Sequence, residues 1–326
     1  MRDDTMAPAD RALFQAAWQT ARTHLGTAFT FYLPGMIRYG RRRGRYAVIS
    51  ITGDHCQLLC EHCQGLLLEP MLKVSSPEHL LKKCRELWRS GNRGILLSGG
   101  ADKEGRLPWR RYMEAMRKIK QETGLFISAH VGFPDLDTCR ELKAAGLNQA
   151  LIDVIGDGDT ATEVYHLEGL SRVTDSLRNI VQSGLELVPH IVAGLHYGEE
   201  RGEYQALELI SGLPLAGLVV VVLSPLKGTP MADAPLPSAM AVARLMAKAR
   251  LKLPKTPIAL GCERPRNQEG RLLERLAMLA GATRMAVWSE DAVREAQALG
   301  LDPRFQPTCC SVDYRVDFDA AYQDHP

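Results

Sequence analysis

The cysteines of this 326-residue chain carry its clearest chemical signal. Three of the eight, Cys56, Cys60 and Cys63, lie in the segment GDHCQLLCEHCQG. Spacings of four and three residues let a compact loop turn three thiolates toward one centre, and thiolates suit zinc or iron–sulfur clusters. Three ligands on a four-iron cluster leave one iron open. The alternative is a zinc site completed by His55 or His62, although zinc sites usually pair two CxxC arms and no second arm lies nearby.

The elements that must position this loop are predicted from short apolar runs that alternate with helical patterns. Each run has five to seven residues, is rich in Val, Ile and Leu, and is apolar on both faces, which predicts a parallel strand covered by helices. Eight such strands predict an α/β fold, a (β/α) barrel that is complete with eight strands or nearly so. The runs are YAVISI from Tyr46, GILLS from Gly94, LFISAHV from Leu125, QALIDVI from Gln149, ELVPHIV from Glu186, GLVVVVL from Gly217, PIALGC from Pro257 and RMAVW from Arg284.

Three divisions of the chain are expected. Residues 1–45 form an N-terminal helical extension, residues 46–300 form the barrel, and residues 301–326 form a C-terminal tail that folds over the barrel mouth. The composition, 45% apolar and 24% charged with a net charge of +2, is that of an ordinary globular protein. No apolar run reaches the ~18 residues of a membrane span, and the N-terminus lacks a secretory pattern, so we expect a cytoplasmic protein without membrane contact.

Eight cysteines in a reducing compartment favour metal or catalytic ligands over a disulfide framework. Cys84 and Cys139 lie on apolar helical stripes and are predicted to be core residues. The other three cysteines form a second candidate group: Cys262 follows the seventh strand in GCERPRN, and Cys309 and Cys310 are adjacent in the tail segment QPTCCSVDY. If the tail folds back over the barrel mouth, these three thiolates converge on a second cluster.

The chain also offers a further ligand for this second cluster, either Ser311 or Arg264. Other candidate ligand contacts come from strand ends, because barrel chemistry sits at the C-terminal ends of the strands. The two glycines that end the second strand allow a close backbone approach to a ligand. Asp159 has two interpretations, as an acceptor at the barrel mouth beside Asp153 and Asp157 or as the cap of the next helix. The strand-end candidates are Ser98, Gly99, Gly100, Asp153, Asp157 and His190.

A three-cysteine loop of this spacing, directly after the first strand of a barrel, resembles the radical S-adenosylmethionine (SAM) superfamily. The resemblance implies that SAM chelates the open iron and that one electron cleaves it to a 5′-deoxyadenosyl radical, which abstracts hydrogen from an unactivated carbon. It also implies that Gly99 and Gly100 hold the SAM amino group and that Asp153, Asp157 and His190 border SAM. The segments DTATEVY and KGTP are similar to segments of biotin synthase.

The motifs GCERPR, CCS, DVIGD, PHIVAGLHYG and GTPM resemble a group of biotin-synthase-like proteins that includes members of the two-protein lipoyl synthases. This resemblance implies a sulfurtransferase that inserts sulfur into an octanoyl chain on a carrier-protein lysine. The second four-iron cluster would be the sulfur donor, and a second radical SAM enzyme would share the work of lipoyl biosynthesis. No cysteine precedes Cys56, whereas single-protein lipoyl synthases carry their second cysteine set there, so the chain departs from that family.

The basic stretch with Arg41, Arg42 and Arg43 before the first strand has two interpretations. It is a solvated turn, or it docks an acidic partner such as an octanoylated lipoyl domain or a ferredoxin or flavodoxin reductant. Nucleic acid is not an expected partner, because no aromatic residues are interleaved. Two other functions stay open: a radical SAM enzyme of another reaction type (methylation, rearrangement or another sulfur insertion), and a cluster- or zinc-stabilised binding module.

Overall fold

The computed structural model describes residues 6–40 and 42–313. Ten helices lie in this part of the chain: α1 (Pro8–Leu25), α2 (Pro77–Arg89), α3 (Met113–Thr123), α4 (Leu136–Ala144), α5 (Gly158–Glu163), α6 (Ser171–Gln182), α7 (Glu203–Ile210), α8 (Ala239–Lys252), α9 (Gln268–Leu279) and α10 (Glu290–Ala298). The strands there are β1 (Ala28–Tyr32), β2 (Arg38–Tyr39), β3 (Arg42–Arg43), β4 (Tyr46–Ser50), β5 (Leu72–Lys73), β6 (Gly94–Ser98), β7 (Phe126–His130), β8 (Gln149–Asp153), β9 (Glu186–Ala193), β10 (Leu218–Val222), β11 (Ile258–Leu260), β12 (Arg284–Ala286) and β13 (Asp302–Gln306).

One parallel sheet of 11 strands, in the order β13-β1-β12-β11-β10-β9-β8-β7-β6-β4-β5, forms a curled, partial barrel. All eight predicted runs are strands of this sheet, and helices follow most of them, so the α/β architecture is confirmed. The count of eight is corrected to 11, because β1, β5 and β13 also join the sheet. In the described residues no strand ladder joins the edge strands β13 and β5, so the barrel is open between them. The gap is narrowed by the Gly35 amide, which follows β1 and donates a hydrogen bond to the carbonyl of Tyr46 in β4 (3.1 Å).

Helices begin where the local sequence satisfies their first amide groups. At α2, the Ser76 side chain accepts a hydrogen bond from the His79 amide and Pro77 occupies the first turn. The apolar stripe of α2 buries Leu80 and Cys84 against the outer face of the sheet. Because helices cover the outer face while side chains fill the inside, the strands are apolar on both faces.

The inside of the barrel, which we call the lumen, is packed by alternate residues of nearly every strand. These residues form a cluster separate from the helix-facing core. Its strand members are Tyr32, Tyr46, Val48, Leu96, Leu151, Val188, Val219, Ala259 and Ala286. The lumen is therefore a packed interior rather than a pore.

The tail follows a different path from the one expected. Residues Asp302–Gln306 form β13, which pairs in parallel with β1, and the chain then enters the lumen, where Cys310 and Val312 pack among the strand side chains. The described part of the tail, residues 301–313, therefore packs inside the barrel instead of folding over its mouth, and residues 314–326 lie outside the described residues. The extension is also not purely helical, because β1 lies inside the sheet. The boundaries at residues 45 and 300 stay predictions.

No helix among the described residues has both the length and the apolar character needed to cross a membrane.

Candidate functional site

The loop after β4 carries Cys56, Cys60 and Cys63, which we call the mouth group. Cys60 is buried, and the other two are half-buried. The ligand atoms of Cys60, His62 and Cys63 all lie within 4.8 Å of one another, and no other three His, Cys, Asp or Glu residues in the described part of the chain meet this criterion. The prediction that the loop turns thiols toward one centre is supported for Cys60 and Cys63, and His62 joins them.

The loop backbone curls tightly around this centre. The Cys60 carbonyl accepts hydrogen bonds from the amides of Cys63 (3.1 Å) and Gln64 (2.9 Å). Leu59 and Gln64 adopt positive φ angles of 46° and 47°, a conformation that costs a residue with a side chain about 1–2 kcal/mol. Such local strain is typical of segments that hold a ligand.

The mouth-group thiols are electrostatically prepared to bind a cation. A hydrogen bond from the Cys60 thiol lowers the pKa of Cys63 to about 4, with a further contribution from His62. The same hydrogen bond, together with burial, raises the pKa of Cys60. Burial disfavours the His62 cation, but the neighbouring Cys63 thiolate raises the pKa of His62 overall. The buried Nδ1 of His62 has no hydrogen-bond partner. These donors fit a thiolate-bound cluster.

The glycines after β6 support the cysteine loop directly. A Cβ on Gly100 would lie 2.0 Å from the His55 carbonyl oxygen and 2.6 Å from the Cys56 Cβ. The Gly100 amide donates a hydrogen bond to the Thr52 hydroxyl (2.7 Å). The close backbone approach predicted for this turn is therefore made to the cysteine loop itself, and a SAM contact by Gly99 and Gly100 stays a prediction. Ser98, which ends β6, is buried.

A polar layer lies at the C-terminal ends of the neighbouring strands. The Tyr165 hydroxyl donates a hydrogen bond to Asp153 (3.0 Å), and the Tyr165 ring lies 5.2 Å from the His62 ring. The rings of His130 and His190 are 5.0 Å apart. Burial lowers the pKa of His190 to about 4 and also lowers that of His130. Tyr165 ends the DTATEVY segment noted in the sequence, but its own role was missed because it follows a helix rather than a strand. His130, at the end of β7, was not among the strand-end candidates.

Asp157 has a structural role that the sequence assigned to its neighbour. The Asp157 carboxylate caps α5, accepts hydrogen bonds from the Thr160 amide and hydroxyl (both 2.8 Å), and pairs with Arg201. The alternative interpretation of Asp159 as the cap is therefore wrong. The Asp159 carboxylate is exposed and pairs with Arg201. His196 also belongs to this group, through Thr160 Oγ1 (3.1 Å).

The second cysteine group, Cys262, Cys309 and Cys310, is brought together inside the barrel, and we call it the lumen group. Cys309 and Cys310 are in side-chain contact, and Cys262 packs against the same lumen cluster. Cys84 and Cys139, in contrast, are buried in the helix-facing core, as predicted. The three lumen-group thiols do not all lie within 4.8 Å of one another, and neither do the three thiols of the mouth group.

One lumen-group thiol is prepared to ionise. A hydrogen bond from the Cys310 thiol, the nearby Ser311 hydroxyl and the backbone amides of Ser311 and Cys310 lower the pKa of Cys309 to about 6. The contact with Cys309 and burial raise the pKa of Cys310, and burial raises the pKa of Cys262 to about 11. The buried Ser311 hydroxyl lies close enough to Cys309 to favour its thiolate, but it makes no hydrogen bond of normal geometry. Ser311 is therefore still available as a ligand.

The alternative ligand, Arg264, is engaged elsewhere. Its Nη1 donates hydrogen bonds to the Gly261 and Ala286 carbonyls (2.6 and 2.7 Å), and its Nη2 pairs with Glu274 (2.8 Å). Burial lowers the pKa of Arg264 to about 10. These contacts fasten the loop after β11 to β12, so Arg264 acts as a buried anchor beneath Cys262, and we retain only Ser311 as the candidate ligand.

The basic stretch folds as a two-stranded antiparallel hairpin of β2 and β3. Arg43 is exposed, and its Nε donates a hydrogen bond to the Gly35 carbonyl (3.0 Å). Arg41 lies outside the described residues, and only the backbone of Arg42 is described. Docking by these arginines stays a prediction.

Comparisons with known proteins agree with this geometry. No protein-family model matches the chain. Biotin synthase of Pelotomaculum thermopropionicum is 24% identical over 254 residues, which cover 76% of this chain and 78% of the relative. Mitochondrial biotin synthase of Saccharomyces cerevisiae is 27% identical over 241 residues, which cover 67% of this chain and 61% of the relative. Among solved structures, methylornithine synthase (PylB) has a TM-score of 0.64 at 16% identity, over 92% of this chain and 91% of its own.

A second solved structure, the FeFe-hydrogenase maturase HydG of Carboxydothermus hydrogenoformans, has a TM-score of 0.65 at 15% identity, over 92% of this chain and 73% of its own. The similarity to biotin synthases, together with a partial barrel and a three-cysteine loop after β4, supports a radical SAM, biotin-synthase-like enzyme. This similarity implies a four-iron cluster and SAM as cofactors, and the mouth group fits such a cluster.

Proposed function

We propose that the chain is a radical SAM sulfurtransferase that inserts sulfur into an octanoyl chain on a carrier-protein lysine, in lipoyl biosynthesis, together with a second radical SAM enzyme. The observation that carries the proposal is the lumen group. A radical SAM barrel needs only the mouth group to cleave SAM, whereas this chain also directs its tail into the lumen and thereby adds Cys309 and Cys310 beneath the mouth.

The residues of the mouth group have defined tasks in this proposal. Cys56, Cys60 and Cys63 would hold the four-iron cluster, which supplies the electron that cleaves SAM. The chain itself prepares the ligands, since Cys63 favours the thiolate and Cys60 shares its proton. Gly100 holds the loop against β6 at a distance that no larger residue allows. Tyr165 orients the Asp153 carboxylate, which is predicted to border SAM.

The polar layer beneath this loop suits a saturated substrate. The depressed pKa values keep His130 and His190 uncharged near neutral pH, so the rings present little charge to an acyl chain. Below them the lumen is lined by Val188, Val219 and Leu151. Little water and neutral histidine rings around the substrate carbon would protect a carbon radical from side reactions, and apolar neighbours would spare an aliphatic chain contact with desolvated ions.

The lumen group would supply the sulfur from a second cluster. Cys262, Cys309 and Cys310 would hold this cluster, with Ser311 as the fourth ligand. A hydroxyl binds iron more weakly than a thiolate does, so one corner of the cluster would be the first to come free as sulfide is removed. Similarity to biotin synthases supports a sulfur insertion in general, and the terminal CCS motif supports the lipoyl assignment.

The proposal also names the partners. An octanoylated carrier domain would present its lysine at the mouth, and a ferredoxin or flavodoxin would deliver the electron. The β2–β3 hairpin with its exposed Arg43 is the proposed docking surface for an acidic partner.

The test combines cluster analysis with product analysis. Anaerobically purified protein should contain about eight irons, as two four-iron clusters require. With SAM, a reductant, the partner enzyme and an octanoyl-lysine peptide, we expect 5′-deoxyadenosine and a thiolated peptide. The variant pair Cys309→Ala and Cys310→Ala should lower iron to about four and abolish thiolation. About four irons in the unmodified chain, or thiolation that survives in both variants, would refute the proposal.

One observation favours a second candidate function. Cys309 and Cys310 are in side-chain contact, which also suits a thiol pair or a cluster that only transfers electrons. The enzyme would then be a radical SAM enzyme without sulfur transfer. Both functions predict 5′-deoxyadenosine, but only the sulfurtransferase predicts that ³⁴S placed in the second cluster appears in the product.

A further inference from the structure

We propose that Arg284 and Gln149 are positioning residues for the lumen group, which they hold inside the barrel before any cluster is present. Both lie at the N-terminal ends of strands, on the side of the barrel opposite the mouth. The inference rests on the proposed function only in assigning the lumen group as ligands. The hydrogen bonds that support it join residues of the chain and require no cluster.

Arg284 begins β12 and is only 6% exposed. Its Nη1 donates hydrogen bonds to the carbonyls of Cys310 (3.2 Å) and Ser311 (3.2 Å), and its Nη2 lies 3.8 Å from the Asp313 carboxylate. The planar guanidinium thus spans four consecutive residues of the tail. A lysine ammonium is a single point donor and cannot reproduce this fork.

Gln149 begins β8, which is separated from β12 by three strands in the sheet order, and is 2% exposed. Its Nε2 donates hydrogen bonds to the Ser311 carbonyl (3.3 Å) and to the Glu186 carboxylate (3.1 Å). The Tyr32 hydroxyl of β1 adds a fourth hydrogen bond to the tail, to the Val312 carbonyl (2.9 Å). Side chains of three strands around the lumen, β1, β8 and β12, therefore hold the tail by hydrogen bonds.

These bonds determine where the cysteines point. The Val312 amide donates to the Cys309 carbonyl (3.1 Å), so residues 309–312 form a turn. With the Cys310, Ser311 and Val312 carbonyls also bound, the backbone that carries the two cysteine Cβ atoms has little freedom. Without these donors, the carbonyls would be buried among apolar side chains without partners, which is costly. Arg284 and Gln149 thus let polar backbone remain in an apolar lumen.

A cavity of about 960 Å³ lies on this side of the barrel and is lined by Gln149, Glu186, Thr283, Arg284 and Asp313, among others. It brings solvent close to the cysteine turn from the side opposite the mouth. A small reagent can therefore reach Cys309 and Cys310 once the turn loosens, without passing the mouth group.

Thiol labelling of the full-length chain, purified without iron, tests the proposal. Each cysteine is alkylated with iodoacetamide, and the rates are read by mass spectrometry. In Arg284→Gln and in Gln149→Leu we expect labelling of Cys309 and Cys310 to rise by ~10-fold or more, because the turn opens locally. Cys84 and Cys139, buried in the helix-facing core, report global unfolding and should keep their wild-type rates.

Two further variants sharpen the test. Arg284→Lys keeps the positive charge but loses the two-nitrogen guanidinium contact with the tail. Its labelling rates at Cys309 and Cys310 should lie between those of wild type and Arg284→Gln. Arg294→Gln, on the exposed face of α10, should match wild type. Unchanged labelling of Cys309 and Cys310, or a rise shared equally by Cys84 and Cys139, would overturn the proposal. If Arg284→Gln does not fold, Gln149→Leu, which retains the Arg284 charge, decides.

The outcome is separable from that of the proposed function. Selective labelling in these variants supports positioning by Arg284 and Gln149 even if the wild-type protein binds only about four irons, a result that would refute the sulfur donor. If wild type binds about eight irons, Arg284→Gln should lower the iron content toward four, because the second set of ligands is no longer held together.

Discussion

The mouth group and the lumen group hold their thiols in similar chemical states but are built in different ways. In each group one cysteine hydrogen-bonds to another, so one pKa falls, that of Cys63 to about 4 and that of Cys309 to about 6, while the partner's rises. The mouth group is a single loop. The lumen group joins the end of β11 to a tail that crosses the barrel interior.

Because the two groups are built differently, their geometry depends on different parts of the molecule. The mouth group depends on local backbone geometry and on one glycine, so single changes in a few residues should disable it. The lumen group depends on strands β1, β8 and β12, which hold the tail in place. It should therefore be sensitive to changes far from its own thiols and on the opposite side of the barrel.

The largest expected effects come from removing one cysteine from each group. Cys60→Ala should lower the rate of reductive SAM cleavage by more than ~100-fold, because the cluster that supplies the electron loses a ligand. Cys309→Ala should leave 5′-deoxyadenosine formation within a fewfold of wild type and abolish sulfur insertion. The measurement is chromatography of both products from one reaction. Persistent SAM cleavage in Cys60→Ala would contradict the assignment of the mouth group.

Gly100→Ala should come close to the effect of Cys60→Ala without touching a thiol. The added Cβ would overlap the His55 carbonyl and Cys56, so the cysteine loop must move and its thiols lose their alignment. We expect SAM cleavage to fall by ~10-fold or more, with iron in the lumen group retained. The control is Gly212→Ala, since a Cβ there meets nothing within 4 Å. Equal activity of the two variants would show that the loop tolerates displacement.

The proximity of Cys60 and Cys63 in the mouth group was predictable because the sequence signal for it is local. The spacing of Cys56, Cys60 and Cys63 and their place after an apolar run are properties of adjacent residues. The eight barrel strands were also predictable, since parallel strands buried on both faces are continuous apolar runs. The short strand β5, Leu72–Lys73, is exposed and carries no such run, so periodicity missed it.

The path of the tail could not be read in the same way. Cys309 and Cys310 were correctly grouped with Cys262, but the sequence placed the tail over the mouth rather than in the lumen. The residues that bring it inside, Arg284 and Gln149, lie at strand starts, where polar residues ordinarily mark a solvent-exposed rim. Only the curled sheet shows that both side chains turn inward. Arg264 likewise looked like a ligand because of its position after Cys262, whereas its buried contacts to β12 become visible only in three dimensions.

A pH titration of the cluster-free protein would sharpen the contrast in the layer between the two groups. Burial lowers the pKa of His190 to about 4, below the ordinary ~6.5 of an unfolded histidine. Between these values the unfolded chain binds the proton and the folded chain does not, so stability is full above pH 6.5 and falls as the pH drops toward 4. Between pH 6.5 and pH 4, proton binding by His190 in the unfolded chain lowers the free energy of unfolding by about 3 kcal/mol.

Urea unfolding from pH 7 to pH 4 measures this effect. Compared with wild type, His190→Gln should lose less stability over the interval, because one proton-binding group is removed from the unfolded state. Parallel stability curves for the two proteins would show that His190 is solvated in the folded chain. The polar layer would then not provide the neutral histidine rings proposed to surround the substrate.

The smallest effect tests whether the mouth group stores backbone strain. Leu59 has a positive φ of 46° and is 44% exposed, so its side chain contributes little packing. Leu59→Gly should raise the free energy of unfolding by up to about 1 kcal/mol, because glycine adopts this conformation without steric cost. Leu67→Gly is the matched control. Leu67 is similarly exposed (39%) but lies in the short 3-10 helix Leu66–Leu68, where glycine should lower stability by about 1 kcal/mol. Opposite signs in urea unfolding would confirm strain that is confined to the cysteine loop, and destabilisation by both variants would show that Leu59 is held by packing instead.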